Sequence, residues 1–117
     1  MKKMEQELVV GIDIGGTKID VGVIDPSGKI LKKTRIYTNV HNGLNAVIQN
    51  IYDAIEKVTD GIKTPIRGIG IGAPGQVDVK NGIVLFAPNL KWKNVELKKL
   101  IHERYRLPVE IENDANC

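Results

Sequence analysis

Apolar and polar positions alternate twice in quick succession near the start of the chain. In "LVVGIDI" (Leu8 to Ile14) and "IDVGVI" (Ile19 to Ile24), Val, Leu and Ile recur at every second position, the period of a half-buried strand. Only "GGTK" separates them, which predicts two antiparallel strands joined by a tight turn. Asp25-Pro26-Ser27-Gly28 has the composition of a second turn. Lys29 to Tyr37, "KILKKTRIY", then returns as a third strand whose lysines suit an exposed edge. Beyond it the period changes. Leu44, Val47, Ile48, Ile51, Ile55 and Val58 recur at helical spacing, with Asn42 placed as N-cap and Gly61 just past the end.

The second half repeats the change of period on a smaller scale. "IRGIGIGAPG" predicts a strand from Ile66 to about Gly72, ended by Pro74; its glycines alternate with isoleucines, which strips one face where something must approach closely. "QVDVKNGIVLFAPNL" reads as a small hairpin around Asn81-Gly82. Leu97, Leu100, Ile101 and Tyr105 mark a second helix, capped by Asn94 and closed off by Pro108. "PVEIEND" is a last strand. The order βββαβ(ββ)αβ predicts the α/β class, a mixed sheet with helices.

Composition narrows this picture. With 117 residues and 42% hydrophobic content the chain can bury one core and not two. The formal charge is +3, but the 17 basic residues are interleaved with 14 acids along the whole length, so neither a nucleic-acid partner nor a membrane surface is expected. Cys117 is the single cysteine, which excludes an internal disulfide. The opening "MKKMEQELVV" lacks the apolar run of a signal peptide, and nothing approaches the roughly 20 apolar residues that span a bilayer. A cytoplasmic protein is the expectation.

Two nucleotide signatures fail on their context. Gly11 to Lys18 nearly spells a Walker A loop, but Thr17-Lys18 stands where Lys precedes Ser or Thr, and a strand follows instead of the helix whose first amides would hold phosphate. Gly70, Gly72 and Gly75 fit G-x-G-x-x-G, yet Pro74 and "QVDVKNG" cannot open a helix. What remains is a hairpin turn. Asp13 ends its first strand, Gly15, Gly16 and Thr17 offer amides and a hydroxyl, and Lys18 adds a positive charge. Such a turn can cradle phosphate, with the carboxylate holding Mg²⁺ through water; it can also be an ordinary glycine hairpin. Similarly, "END" can end a strand and cap a helix. His41, His102 and the cluster Lys91, Lys93, Lys98 and Lys99 read as solvated side chains, Trp92 as packing for its loop, and Cys117, with no base in view, not as a catalytic thiol.

The segment "GIDIGGTK" resembles the first phosphate motif of the actin-like ATPase superfamily, a fold built on ribonuclease H-like lobes. "GIGIGAPGQVD", "APNLKW" and "ENDAN", in that order, are similar to the ROK family of bacterial sugar kinases and sugar-responsive repressors. The resemblance covers nearly the whole chain. It implies an ATP-dependent kinase of a hexose, glucokinase-like, with Asp13 facing Mg²⁺ and Gly15, Gly16, Thr17 and Lys18 contacting ATP phosphates. It places Gly75, Asn89, Asn113 and Asp114 at the sugar, Asp114 being the catalytic base. Phosphoryl transfer to a hydroxyl calls for such a carboxylate.

The family's kinases have two lobes, and residues 1–117 resemble only the first. The second lobe, its adenosine motif, the His and Glu that complete the sugar site and a Cys-rich zinc motif are not matched, so zinc is expected only there, and the chain alone is expected to be inactive. Family members commonly form dimers through that lobe, which keeps a homo-oligomer possible. The alternative is the sugar-sensing domain of a repressor, which carries a winged helix-turn-helix ahead of "DIGGTK". A third option, an ATPase without a sugar, does not account for "APNL" and "ENDAN".

Overall fold

Strands β1 (Leu8–Ile14), β2 (Lys18–Ile24) and β3 (Ile30–Tyr37) form the expected antiparallel meander in a computed structural model that describes residues 7–114. Helix α1 (Leu44–Thr59) follows, then β4 (Ile66–Ala73), a small sheet of β5 (Gln76–Asp78), β6 (Ile83–Ala87) and β7 (Trp92–Val95), helix α2 (Leu97–Tyr105) and β8 (Val109–Asn113). The main sheet has the order β3-β2-β1-β4-β8, with β4 parallel to both β1 and β8. The mixed α/β architecture is the one the strand and helix periods dictate.

Period 2 decides which face of the sheet is buried. Leu8, Val10, Ile12 and Ile14 of β1, Ile19, Val21 and Val23 of β2, Ile69 and Ile71 of β4, and Val109 and Ile111 of β8 all join one core. Onto it α1 lays Val47, Ile48, Ile51, Ala54, Ile55 and Val58, and α2 lays Leu97 and Ile101. Each Val, Leu or Ile among them contributes about 1.5–3 kcal/mol on full burial. The helices meet at their own contact, where Tyr52 and Tyr105 pack edge to face with ring centroids 5.9 Å apart and Arg104 stacks on Tyr52. β3, with Lys32, Lys33 and Arg35 exposed, is the edge strand its lysines announced.

The opposite face of the sheet is bare. Gly22, Gly11 and Gly70 are direct neighbours across β2, β1 and β4, and the same row ends in Lys33 on β3 and Glu110 on β8. A groove of about 900 Å³ runs over these glycines. The stripped face expected of β4 is therefore shared by three strands.

Local chemistry differs from expectation at three places. Asn42 lies in a single 3-10 turn, Val40–Asn42, and Gly43 occupies the N-cap of α1 with φ 93°, a value that favours glycine. Asn94 does not cap α2: it sits inside β7 at φ 53°, and Glu96 holds the cap position. β7 is a strand where the sequence predicts loop, because "WKNV" offers little apolar signal. Its pairing with β6, Ala87 opposite Trp92 and Val84 opposite Val95, buries Trp92 under the small sheet.

Candidate active site

Ligands of open α/β sheets gather at the carboxyl ends of parallel strands, where the strand order reverses direction. Here that point lies between β1, whose chain continues into β2 on one side, and β4 on the other. Asp13 stands at the carboxyl end of β1, level with Gly72 of β4. Glu112 and Asn113 close the same end on β8, level with Gly72 and Ala73. Asp114 follows directly.

The carboxylates at this end interact. Asp13 reaches solvent, yet its carboxyl is pushed above its ordinary value, first by loss of water around it and then by the negative charges of Asp114 and Asp20. Asp20 faces Asp13 across the β1–β2 ladder and is pushed the other way, chiefly by its bond from Arg35. That guanidinium donates to both oxygens, at 2.6 and 3.1 Å.

The turn between β1 and β2 is closed by the Gly15 amide, which donates to the Lys18 carbonyl at 2.9 Å. It lies against the loop that carries Asn89. A Cβ added to Gly16 would stand 3.0 Å from the Asn89 Cβ and 3.2 Å from the Asn89 carbonyl oxygen, so a glycine is what allows the two segments to touch. Asn89 belongs to a short 3-10 turn, Pro88–Leu90, and is itself exposed. Beneath it Trp92 is buried, as its packing role required, although its indole Nε1 has no hydrogen-bond partner among the described residues.

A second bridge joins the turn between β4 and β5 to β8. The Asn113 amide Nδ2 donates to the Gly75 carbonyl oxygen. Gly75 has φ 82°, and a Cβ there would fall 2.1 Å from the Phe86 carbonyl oxygen. No other residue fits. Thus Asp13, Gly15, Gly16, Gly75, Asn89, Asn113 and Asp114, drawn from four separate segments, converge on one end of the sheet.

Thr17 and Lys18 are less directly engaged. Thr17 is exposed and contributes its carbonyl to an internal bond, while the Lys18 ammonium stands 6.0 Å from the centre of the Tyr37 ring. His41 is exposed and isolated, whereas His102 Nδ1 donates to the Leu107 carbonyl at 2.8 Å and ties down the end of α2. Cys117 and Asn116 lie outside the described residues. Sequence reasoning missed Asp20, Arg35 and Thr38. Asp20 could have been found from the strand register, which sets it opposite Asp13; Thr38 carried no periodic signal.

Among the described residues no group of three His, Cys, Asp or Glu forms a metal cage. Mg²⁺ is commonly held by one or two carboxylates with water completing its shell, and a cation would offset both the lost hydration and the neighbouring negative charges at Asp13. No helix among the described residues is long and apolar enough to cross a membrane.

Residues 9–117 match the ROK family. The glucokinase of Thermotoga maritima is 45% identical over 110 residues, covering 93% of this chain and 34% of that protein. A xylose repressor of Caldicellulosiruptor bescii is 36% identical, over 93% of this chain and 28% of its own length. Among solved structures, a ROK family glucokinase from Streptomyces griseus in complex with glucose and AMPPNP superimposes with a TM-score of 0.85 at 41% identity, over 93% of this chain and 34% of that one. The chain thus spans about a third of the length of the glucokinases it matches. Its sheet and helices have the actin-like ATPase fold of those neighbours. With the family signature running from the first strand to the last residue, the chain belongs to the ROK family.

Proposed function

We propose that the chain is the first lobe of an ATP-dependent hexose kinase, its nucleotide and sugar lying at the carboxyl ends of β1, β4 and β8. The observation that carries this reading is the convergence of four distant segments there, with Gly16 packed on Asn89 and Asn113 bonded to Gly75. In this assignment the turn Gly15 to Lys18 presents amides to the phosphates of ATP, and Asp13 holds Mg²⁺ through water, which neutralises charge on those phosphates. Gly75, Asn89, Asn113 and Asp114 hold the sugar. Asp114 accepts the proton of the attacking hydroxyl as the new P–O bond forms, and positioning supplies most of the rest of the rate. Support comes from relatives and neighbours named glucokinase, one of them in complex with glucose and an ATP analogue.

A sugar-sensing domain of a repressor is the second reading, favoured by the xylose repressor relative. Retention of both Asp13 and Asp114 weighs toward the kinase, because sensing alone needs neither a metal carboxylate nor a base. The test is a coupled phosphorylation assay on the full-length protein with ATP and a panel of hexoses. Transfer to a hexose, abolished by Asp114→Asn, establishes the kinase; sugar binding without transfer establishes the sensor.

A further inference from the structure

Thr38 is the one buried polar side chain among the described residues, at 0% exposure, and it grips the β1–β2 turn from outside. Its hydroxyl donates to the Gly15 carbonyl at 2.7 Å, and its amide donates to the Thr17 carbonyl at 2.8 Å. Its own carbonyl accepts from the Asn50 side chain of α1 at 3.4 Å.

We propose that Thr38 is a positioning residue that aims the amides of the phosphate turn, an inference that rests on the nucleotide reading above. A Gly-Gly turn is the most conformationally free element a chain can build. This one has a single backbone bond of its own, from Gly15 to Lys18. A trans peptide points its carbonyl and its amide N–H in opposite directions. Holding the Gly15 carbonyl toward Thr38 therefore turns the Gly16 N–H away from it, and holding the Thr17 carbonyl does the same for the Lys18 N–H. Those two amides are the donors a phosphate would meet. Through Asn50 the same residue anchors the turn to α1, so the donor geometry is set by the packed lobe and not by the turn.

The test compares Thr38→Val and Thr38→Ser in the full-length protein, by calorimetry with MgATP and by steady-state kinetics. Valine replaces the hydroxyl at nearly equal volume and leaves the amide bond to Thr17 in place. Expected for Thr38→Val is a roughly tenfold rise in the Kd for MgATP and in the KM for ATP, the effect of one lost hydrogen bond. The KM for sugar should stay within about twofold, and Thr38→Ser should restore nucleotide affinity. Unchanged nucleotide affinity, equal weakening of sugar and nucleotide, or no rescue by serine would overturn the proposal. If the valine variant does not fold, Thr38→Ala carries the same measurement; failure of both to fold assigns Thr38 a purely structural role and overturns it too. A wild type that binds MgATP without phosphorylating a hexose overturns only the kinase reading, since the calorimetric comparison still decides on Thr38. A wild type that binds no nucleotide overturns both.

Discussion

Asp13 and Asp20 face each other across the β1–β2 ladder, and the fold drives their carboxyls in opposite directions. Loss of water and like charge disfavour the ionised form of Asp13; the Arg35 bond favours that of Asp20. A raised folded pKa means that ionised Asp13 costs stability at neutral pH, and the cost is relieved as pH falls through its folded value toward 3.8. A lowered one means that Asp20 contributes stability above 3.8 which disappears as pH falls through its folded value. Thermal melts of the metal-free protein at pH 7 should show Asp13→Asn above the wild type and Asp20→Asn below it. Both differences should close well below pH 3.8. Melts of the two variants displaced in the same direction would contradict the opposed environments.

The roles assigned to the two site aspartates separate in kinetics. Asp114→Asn in the full-length protein should remove most turnover while sugar affinity stays within roughly tenfold, as expected for a group that acts in the transition state. Asp13→Ala should weaken MgATP binding and turnover while calorimetric sugar binding persists. Near-normal turnover of Asp114→Asn would remove it from proton transfer, and loss of sugar binding in a folded Asp13→Ala would place that carboxylate in the wrong pocket.

Gly75→Ala tests the bridge between the β4–β5 turn and β8. Alanine would carry φ 82° and place its Cβ against the Phe86 carbonyl, so the loop has to move. The left-handed conformation alone costs roughly 1–2 kcal/mol, and the clash adds to it. Urea unfolding should show a loss of at least about 2 kcal/mol, and the Asn113 bond to residue 75 should loosen with it. A stability unchanged within error would mean that the Gly75 conformation is not required.

The purified 117-residue chain should self-associate. An open groove of about 900 Å³ lies over the bare sheet face, and Ile30 at its rim is 54% exposed. Apolar surface of this kind tends to find a partner. Sedimentation over a range of concentrations should show a rising mean mass, and a coupled assay should show little or no sugar phosphorylation. A monomer with strong turnover would mean that these residues are not half of a cleft.

How much of this was legible in the sequence depends on how locally each feature is encoded. β1, β2 and α1 were readable because strict periods of 2 and 3.6 run through Leu8 to Ile24 and Leu44 to Val58. β7 was not, since Trp92 and Val95 are apolar but Lys93 and Asn94 between them break the pattern; only pairing with β6 makes it a strand. Both expected caps failed for a common reason: Asn42 and Asn94 carry the right chemistry, but the backbone turns one or two residues later. Candidate site residues were identifiable segment by segment. Their meeting was not, because Gly16 against Asn89 and Asn113 against Gly75 are contacts between positions far apart in the chain. Thr38 was invisible for the same reason, its value residing in two carbonyls more than 20 residues upstream.

The bare row across β2, β1 and β4 contains two different kinds of glycine. Gly22 is confined from within, since a Cβ there would stand 3.3 Å from the Lys32 carbonyl oxygen, a backbone atom, whereas at Gly11 the nearest atom is only the mobile Cδ1 tip of Ile24. Gly70 is not: apart from its own chain neighbours, no heavy atom of the described residues lies within 4 Å of where its Cβ would be. Alanine therefore has room at that position, and it reduces the freedom of the unfolded chain. A loss of activity in Gly70→Ala without a loss of stability would therefore mark position 70 as a place where a ligand or partner approaches the sheet closely.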